Sequence, residues 1–192
     1  MRSEPVPFVS RAGLKLARAL EAFAIDVTGL ECADFGCNAG GFTDCLLQGG
    51  ATRVIALDTG YGMLEWKLRN DPRVEVRERT NVLHAAPPVG GVDLVVLDMA
   101  WTKQLHSIPV ALRWLRPRGH IVSLIKPHYE SHGDERKALV KGILPADVAA
   151  LVVARVLREM AALGVRVAGD CPSPIEGGGG NTEHLAHLFP SN

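Results

Sequence analysis

The chain has 192 residues, 47% hydrophobic and 22% charged, which suits one packed domain (1–192) and excludes a disordered chain. Lys+Arg and Asp+Glu both number 21, so the net charge is zero, and any grip on nucleic acid has to come from charge gathered on one face rather than from overall basicity. No apolar run approaches the roughly 20 residues of a bilayer span, and the N-terminal MRSEPVPFVSRAG lacks the apolar core of a signal peptide, so a cytoplasmic protein without membrane contact is expected.

The pattern alternates helix and strand. SRAGLKLARALEAF sets Leu16, Leu20 and Phe23 on one helical face, so residues 1–24 form an arm and a helix. ECADFG is a short buried strand, and GGFTDCLLQGG a helix that starts on a glycine pair and stops at Gly49–Gly50. RVIALD is a second strand, YGMLEWKLRN a helix, RVEVRE a third strand and VDLVVLD a fourth, apolar enough to be covered on both faces. HSIPVALRWL is a helix despite its proline, and GHIVSLIKP a fifth strand. Residues 128–144 lack clear periodicity and read either as a substrate-covering loop or as a solvated connection. PADVAALVVARVLREMAALG is a long helix, with Pro145 near its start and Gly164 past its end. VRVAGDC and EHLAHLF close the chain as two strands joined by a glycine loop, an antiparallel hairpin. The fold class is α/β, a mostly parallel seven-stranded sheet with that hairpin at one edge.

In such a sheet the first strand-to-helix turn holds the ligand. Here it reads DFGCNAGG: Asp34, then Gly36 for a tight turn, then Gly40 and Gly41 for close approach of backbone to ligand. A helix beginning near Gly41 favours an anionic group, the pyrophosphate of a dinucleotide or the carboxylate of S-adenosylmethionine. Asp58 closes the second strand, where a carboxylate suits a ribose diol. Two more strands end in charge, on Asp98 and on Lys126. A lysine straight after a buried strand is costly unless it has a partner or a task. Glu183 falls on the final strand and Lys15 on the first helix. The cysteines Cys32, Cys37, Cys45 and Cys171 show neither CxxC nor zinc-ribbon spacing, so free thiols in a reducing compartment are expected, with no metal site. A metal near Glu130, flanked by His128 and His132, has little behind it, and His184 and His187 read as packing or solvent-facing residues.

The stretches PFVSRAGLKL, DFGCNAGGFTDCLL, ALDTGYGMLEWKLRNDPRV, ERTN, VVLD, LIKPHYE and SPIEGGGGNTEHL together resemble the methyltransferase domain of TlyA-type (hemolysin A-like) proteins, within the FtsJ-like 2′-O-ribose RNA methyltransferases. The resemblance runs from Phe8 to Leu188. It implies a Rossmann-like methyltransferase fold, S-adenosylmethionine as cofactor, RNA, above all ribosomal RNA, as substrate, and a catalytic Lys–Asp–Lys–Glu tetrad falling on Lys15, Asp98, Lys126 and Glu183. Cofactor contacts would fall on Asp34, Gly36, Asn38, Gly40, Gly41, Phe42, Asp58, Asn81 and Asp98, with Asn81 near the adenine end. This chain departs from the pattern in three places. It begins where an S4-type RNA-binding module would end, so a partner replacing that module is an expectation. MAWTKQLHSIP stands where the family has a Ser-Phe-Ile-Ser run, and the glycine loop lacks a lysine before Gly-Asn. The rival readings are a methyltransferase of a small-molecule hydroxyl and a cofactor-binding assembly factor without catalysis.

For the implied reaction Lys126 would take the proton of the hydroxyl or steady the developing alkoxide. Taking a proton near neutral pH requires a lysine far from its usual value of about 10.4; burial and a second cation favour that, and neighbouring carboxylates oppose it. Candidates for phosphate contact are Arg2, Arg11, Arg18, Lys137 and Lys141. Trp101 and Tyr129 follow the two reacting strands and could stack on a splayed base, or, for Trp101, simply pack.

Overall fold

A computed structural model describes residues 6–191. In chain order the elements are α1 (Ala12–Ala22), β1 (Glu31–Phe35), α2 (Gly41–Gln48), β2 (Arg53–Leu57), α3 (Trp66–Arg69), β3 (Val74–Arg77), β4 (Val92–Leu97), α4 (Gln104–Trp114), β5 (Leu115–Ile125), α5 (Pro127–Glu130), α6 (Gly133–Lys137), α7 (Ala146–Ala161), β6 (Val165–Pro172) and β7 (His184–Pro190). The strands form one sheet in the order β3-β2-β1-β4-β5-β7-β6. All pairs from β3 to β5 are parallel, and β7 runs antiparallel to both β5 and β6.

The chain builds outward from β1 to β3, then returns to lay β4 beside β1 and builds the other way. The crevice above the carboxyl ends of β1 and β4 is therefore where loops from the two halves diverge. The strands that flank it are almost wholly apolar because helices cover both faces. On one side Phe35, Ile121, Val152 and Met160 pack with Trp114, whose ring meets Phe35 edge-on at 5.0 Å. On the other, Leu16 of α1, Phe42 and Leu46 of α2, and Leu185 of β7 close the second layer. Large side chains buried this fully contribute about 1.5–3 kcal/mol each.

Several boundaries differ from the sequence reading. The helix expected over YGMLEWKLRN is a single turn, Trp66–Arg69. Gly62 takes φ 74°, and the Glu78 carboxylate accepts the Met63 N–H at 3.2 Å while pairing with Arg69, so residues 59–65 are held as a loop. Strand β5 starts earlier than Gly119, but its pairing with β4 jumps from Val92↔Leu115 to Leu94↔His120, so Arg116–Gly119 bulge out of the ladder. Residues 128–144 contain α6 and most of α5 rather than an unbroken loop. Glu183 sits one residue ahead of β7 instead of on it.

Candidate active site

The turn after β1 is left-handed at three places: Gly36 (φ 88°), Asn38 (φ 46°) and Gly40 (φ 95°). A Cβ on Gly36 would stand 2.7 Å from the Asp98 carbonyl oxygen, so only glycine lets β1 and β4 end this close together. A Cβ on Gly41 would overlap the Ser10 hydroxyl and reach 2.8 Å from the Gly13 nitrogen, so the start of α1 lies directly on the start of α2. A cavity of about 80 Å³ opens between them, lined by Ser10, Ala12, Gly36, Asn38, Phe42 and Asp98, among others. The α2 terminus has no side-chain cap, and its free N–H groups are available to an anion.

Asp58 ties the second strand end to the first. Its oxygens accept the Asn38 N–H at 2.9 Å and the Gly60 N–H at 2.7 Å. The Thr80 N–H donates to the Asp58 carbonyl at 2.9 Å, which brings the exposed Asn81 to the same rim; its side-chain oxygen accepts the Leu83 N–H. Asp34 lies behind this surface. It is fully buried, with Oδ2 accepting the Thr43 hydroxyl at 2.7 Å and Oδ1 unpartnered among the described residues. Burial pushes its carboxyl up to about 7, with Asp98 and Asp58 adding to the effect and the Thr43 hydrogen bond opposing it.

The structure brings the four charged residues together as two ion pairs. Lys126 Nζ lies 2.5 Å from Asp98 Oδ1, and Lys15 Nζ lies 2.5 Å from Glu183 Oε2. Antiparallel pairing of Ile125 with His184 puts Lys126 opposite Glu183 one step further along the register, so the pairs stand side by side at the carboxyl edge of β5. The glycine loop closes over Glu183 so tightly that a Cβ on Gly177 would overlap its carboxylate. Asn181 fixes that loop to the segment before α7, accepting the Leu144 N–H and donating to the Gly142 carbonyl, each at 2.9 Å.

Beside Lys126, Trp101 is 82% exposed, and its ring tilts against Tyr129 at 5.0 Å, so it does not pack into the core. The cations named for phosphate contact are scattered. Arg11, Arg18, Lys137 and Lys141 are exposed, with Arg18 and Lys137 paired to Glu21 and Asp134; Arg2 lies outside the described residues. His184 pairs with Asp170 at 2.6 Å, and His187 stacks on Phe23. All four cysteines are free and buried, and among the described residues no three His, Cys, Asp or Glu side chains cluster as metal ligands. Sequence reasoning missed Ser10 and Ala12 as lining, because nothing in their types signals the fold of the arm onto Gly41. It also missed the polar contact of Glu130 with Gln104, which joins residues 26 apart in the chain and leaves no trace in local spacing.

A family model for FtsJ-like methyltransferases matches residues 8–188. This chain belongs to the FtsJ-like methyltransferase family. Among relatives, the 16S/23S rRNA (cytidine-2′-O)-methyltransferase TlyA of Mycobacterium tuberculosis is 42% identical, over 94% of this chain and 68% of the relative. Hemolysin A of Brachyspira hyodysenteriae is 35% identical, over 96% of this chain and 78% of the relative. A solved hemolysin-like structure from Streptococcus thermophilus superimposes with a TM-score of 0.92 at 35% identity, covering all of this chain and 70% of the other. No helix among the described residues is long and apolar enough to cross a membrane.

Proposed function

We propose that this FtsJ-like domain transfers a methyl group from S-adenosylmethionine to a ribose 2′-hydroxyl of ribosomal RNA. The observation that carries the reading is the double ion pair, Lys126–Asp98 and Lys15–Glu183, standing next to the glycine-lined crevice. The crevice fits the cofactor. Its small cavity, glycine walls and free α2 terminus suit an amino-acid end bearing a carboxylate, and Asp58 and Asn81 continue the rim toward a ribose and base. The bound sulfonium supplies an activated methyl group, so the protein's task is to align a hydroxyl and manage its proton.

Lys126 is the residue for that task. Its side chain is only 14% exposed, and Asp98 fixes its direction. The Asp98 carboxylate holds the Lys126 amine at the edge of the crevice, a placement that suits steadying the developing alkoxide while water carries the proton away. Glu183 holds Lys15 in the same way one strand over. The exposed Trp101 ring, backed by the half-buried Tyr129, offers a stacking face for a splayed nucleotide, and residues 128–144, with Lys137 and Lys141, frame the same edge as substrate-covering segments. An exposed aromatic ledge beside the reacting lysine favours a nucleic acid over a small hydroxylated molecule. The whole chain works as one domain in the cytoplasm, where ribosomal RNA is found. The TlyA relative's printed activity on ribosomal RNA supports the same substrate class.

The test is methyl transfer from labelled cofactor to undermodified ribosomal subunits and to protein-free RNA, followed by digestion and analysis for 2′-O-methylnucleosides. Product is expected with the unaltered protein and none with Lys126→Ala. Cofactor binding without product on either RNA form would overturn the reading.

A further inference from the structure

The loop between Asp98 and Gln104 carries Trp101, and each of its ends is held by one end of the same short turn. Asp98 is bound by Lys126 at 2.5 Å. Gln104, the first residue of α4, donates its backbone N–H to Glu130 Oε1 at 2.9 Å. Lys126 and Glu130 are the two ends of the turn that contains α5: the N–H groups of Tyr129 and Glu130 both donate to the Lys126 carbonyl, at 2.9 and 3.2 Å. The contacts therefore close a ring, running from Asp98 through the Trp101 loop to Gln104, across to Glu130, back along the turn to Lys126, and across to Asp98.

Nothing local does what Glu130 does. Lys103, at the position before α4, offers no side-chain cap, so the start of α4 relies on a carboxylate from another element. Glu130 is 6% exposed and Gln104 4%, so neither can turn to water for a substitute partner. The Gln104 side chain carries the connection inward, donating to the Leu124 carbonyl at 3.0 Å and accepting the Ser123 hydroxyl at 2.6 Å, two and three residues before Lys126 on β5. Arg155 of α7 holds the Glu130 carbonyl from behind at 3.0 Å. At the surface the two sides of the ring meet through Trp101 and Tyr129.

We propose that Glu130 is a positioning residue for methyl transfer: by holding the start of α4 it fixes the Trp101 loop against the Tyr129 turn and so sets the nucleotide-facing ledge relative to Lys126. It touches neither cofactor nor hydroxyl; it acts through the loop it anchors. This rests on the RNA reading above for its effect on rate, but not for its effect on the loop.

The test uses a Trp66→Phe background, in which iodide quenching reports on exposed Trp101 because Trp114 is fully buried. Glu130→Ala removes the acceptor; Glu130→Leu removes it while filling the space, and keeps the question answerable if the alanine protein does not fold. Glu130→Gln retains an acceptor oxygen. The expected result for the first two is altered quenching of Trp101, a fall in kcat on ribosomal RNA of about ten- to a hundredfold, as misplacement of this kind commonly costs, and cofactor Kd within twofold of the parent. Glu130→Gln restores both readouts. Folded Glu130→Leu with parental quenching and parental kcat would overturn the proposal, as would lowered thermal stability as its only change. If the parent protein methylates no RNA, the RNA reading falls, and the quenching series alone still decides whether Glu130 places the loop.

Discussion

Lys15 and Glu183 are 9% and 3% exposed in their side chains, so their pair is shielded from water on both sides. Removing one partner leaves the other charge buried without compensation, which typically costs about 3–5 kcal/mol, while removing both together costs far less. Lys15→Met is expected to destabilise the protein by about 3 kcal/mol, and Lys15→Met with Glu183→Gln by clearly less than the sum of the single changes. Denaturant titration of the four proteins measures this; additive effects would mean the pair contributes nothing as a pair. Lys126 differs. It lies nearer solvent than Lys15, and Asp98 is 17% exposed, so Lys126→Ala is expected to abolish transfer while leaving a folded protein that binds cofactor. In the sequence Lys126 stands out as a charge straight after a buried strand, whereas Lys15 sits on a helix between Arg11 and Arg18, and only the structure shows that Lys15 is the more buried of the two.

Among the elements, the contact between α1 and α2 is the one on which the crevice depends. Gly41 is in an ordinary helical conformation, and what forbids a side chain there is the nearness of Ser10 and Gly13. Gly41→Ala is expected to push α1 away and weaken cofactor binding at least tenfold. Gly62→Ala is the matched control. That residue has φ 74° and open space around a Cβ, so it should cost only about 1 kcal/mol of backbone strain and leave binding unchanged. Calorimetric titration with cofactor distinguishes them, and equal losses would remove the special place given to the α1–α2 contact. The glycine pair was legible in the sequence as a ligand-approach signal, and the strands were legible as apolar runs ending in charge. The one-turn α3 was not, because its limits come from Glu78 reaching across from beyond β3 to hold residues 63 and 64. The β5 bulge was hidden for a related reason: Arg116 is held at its base by Asp93 and Glu31, contacts that no local periodicity records.

At the scale of the whole molecule, two buried titrating groups in one register row, Asp34 on β1 and His187 on β7, act on stability with opposite signs. Asp34 sits at about 7 in the folded chain against its usual 3.8, so the folded state holds an extra proton between those values and stability falls as pH rises through that window. His187 sits at about 4 against its usual 6.5, because burial, the neighbouring His120 and Arg166 all disfavour its charge. Its nitrogen meets that of His120 at 2.7 Å, and Phe23 and Phe189 cover the ring. There the unfolded state holds the extra proton, so stability falls as pH drops from about 6.5 to about 4. Over the shared range the two slopes oppose each other, each up to about 1.4 kcal/mol per pH unit, and the unaltered protein should show only a weak net dependence from this source. Asp34→Asn keeps the shape and the hydrogen bond from Thr43 but cannot ionise. Its stability relative to the unaltered protein should therefore climb steadily between pH 4.5 and 6.5, leaving a curve dominated by the histidines. Denaturant titrations at three pH values across that interval measure the difference. A difference that does not change with pH would show that Asp34 ionises as easily in the folded chain as in the unfolded one, and that its unpartnered oxygen has found solvent.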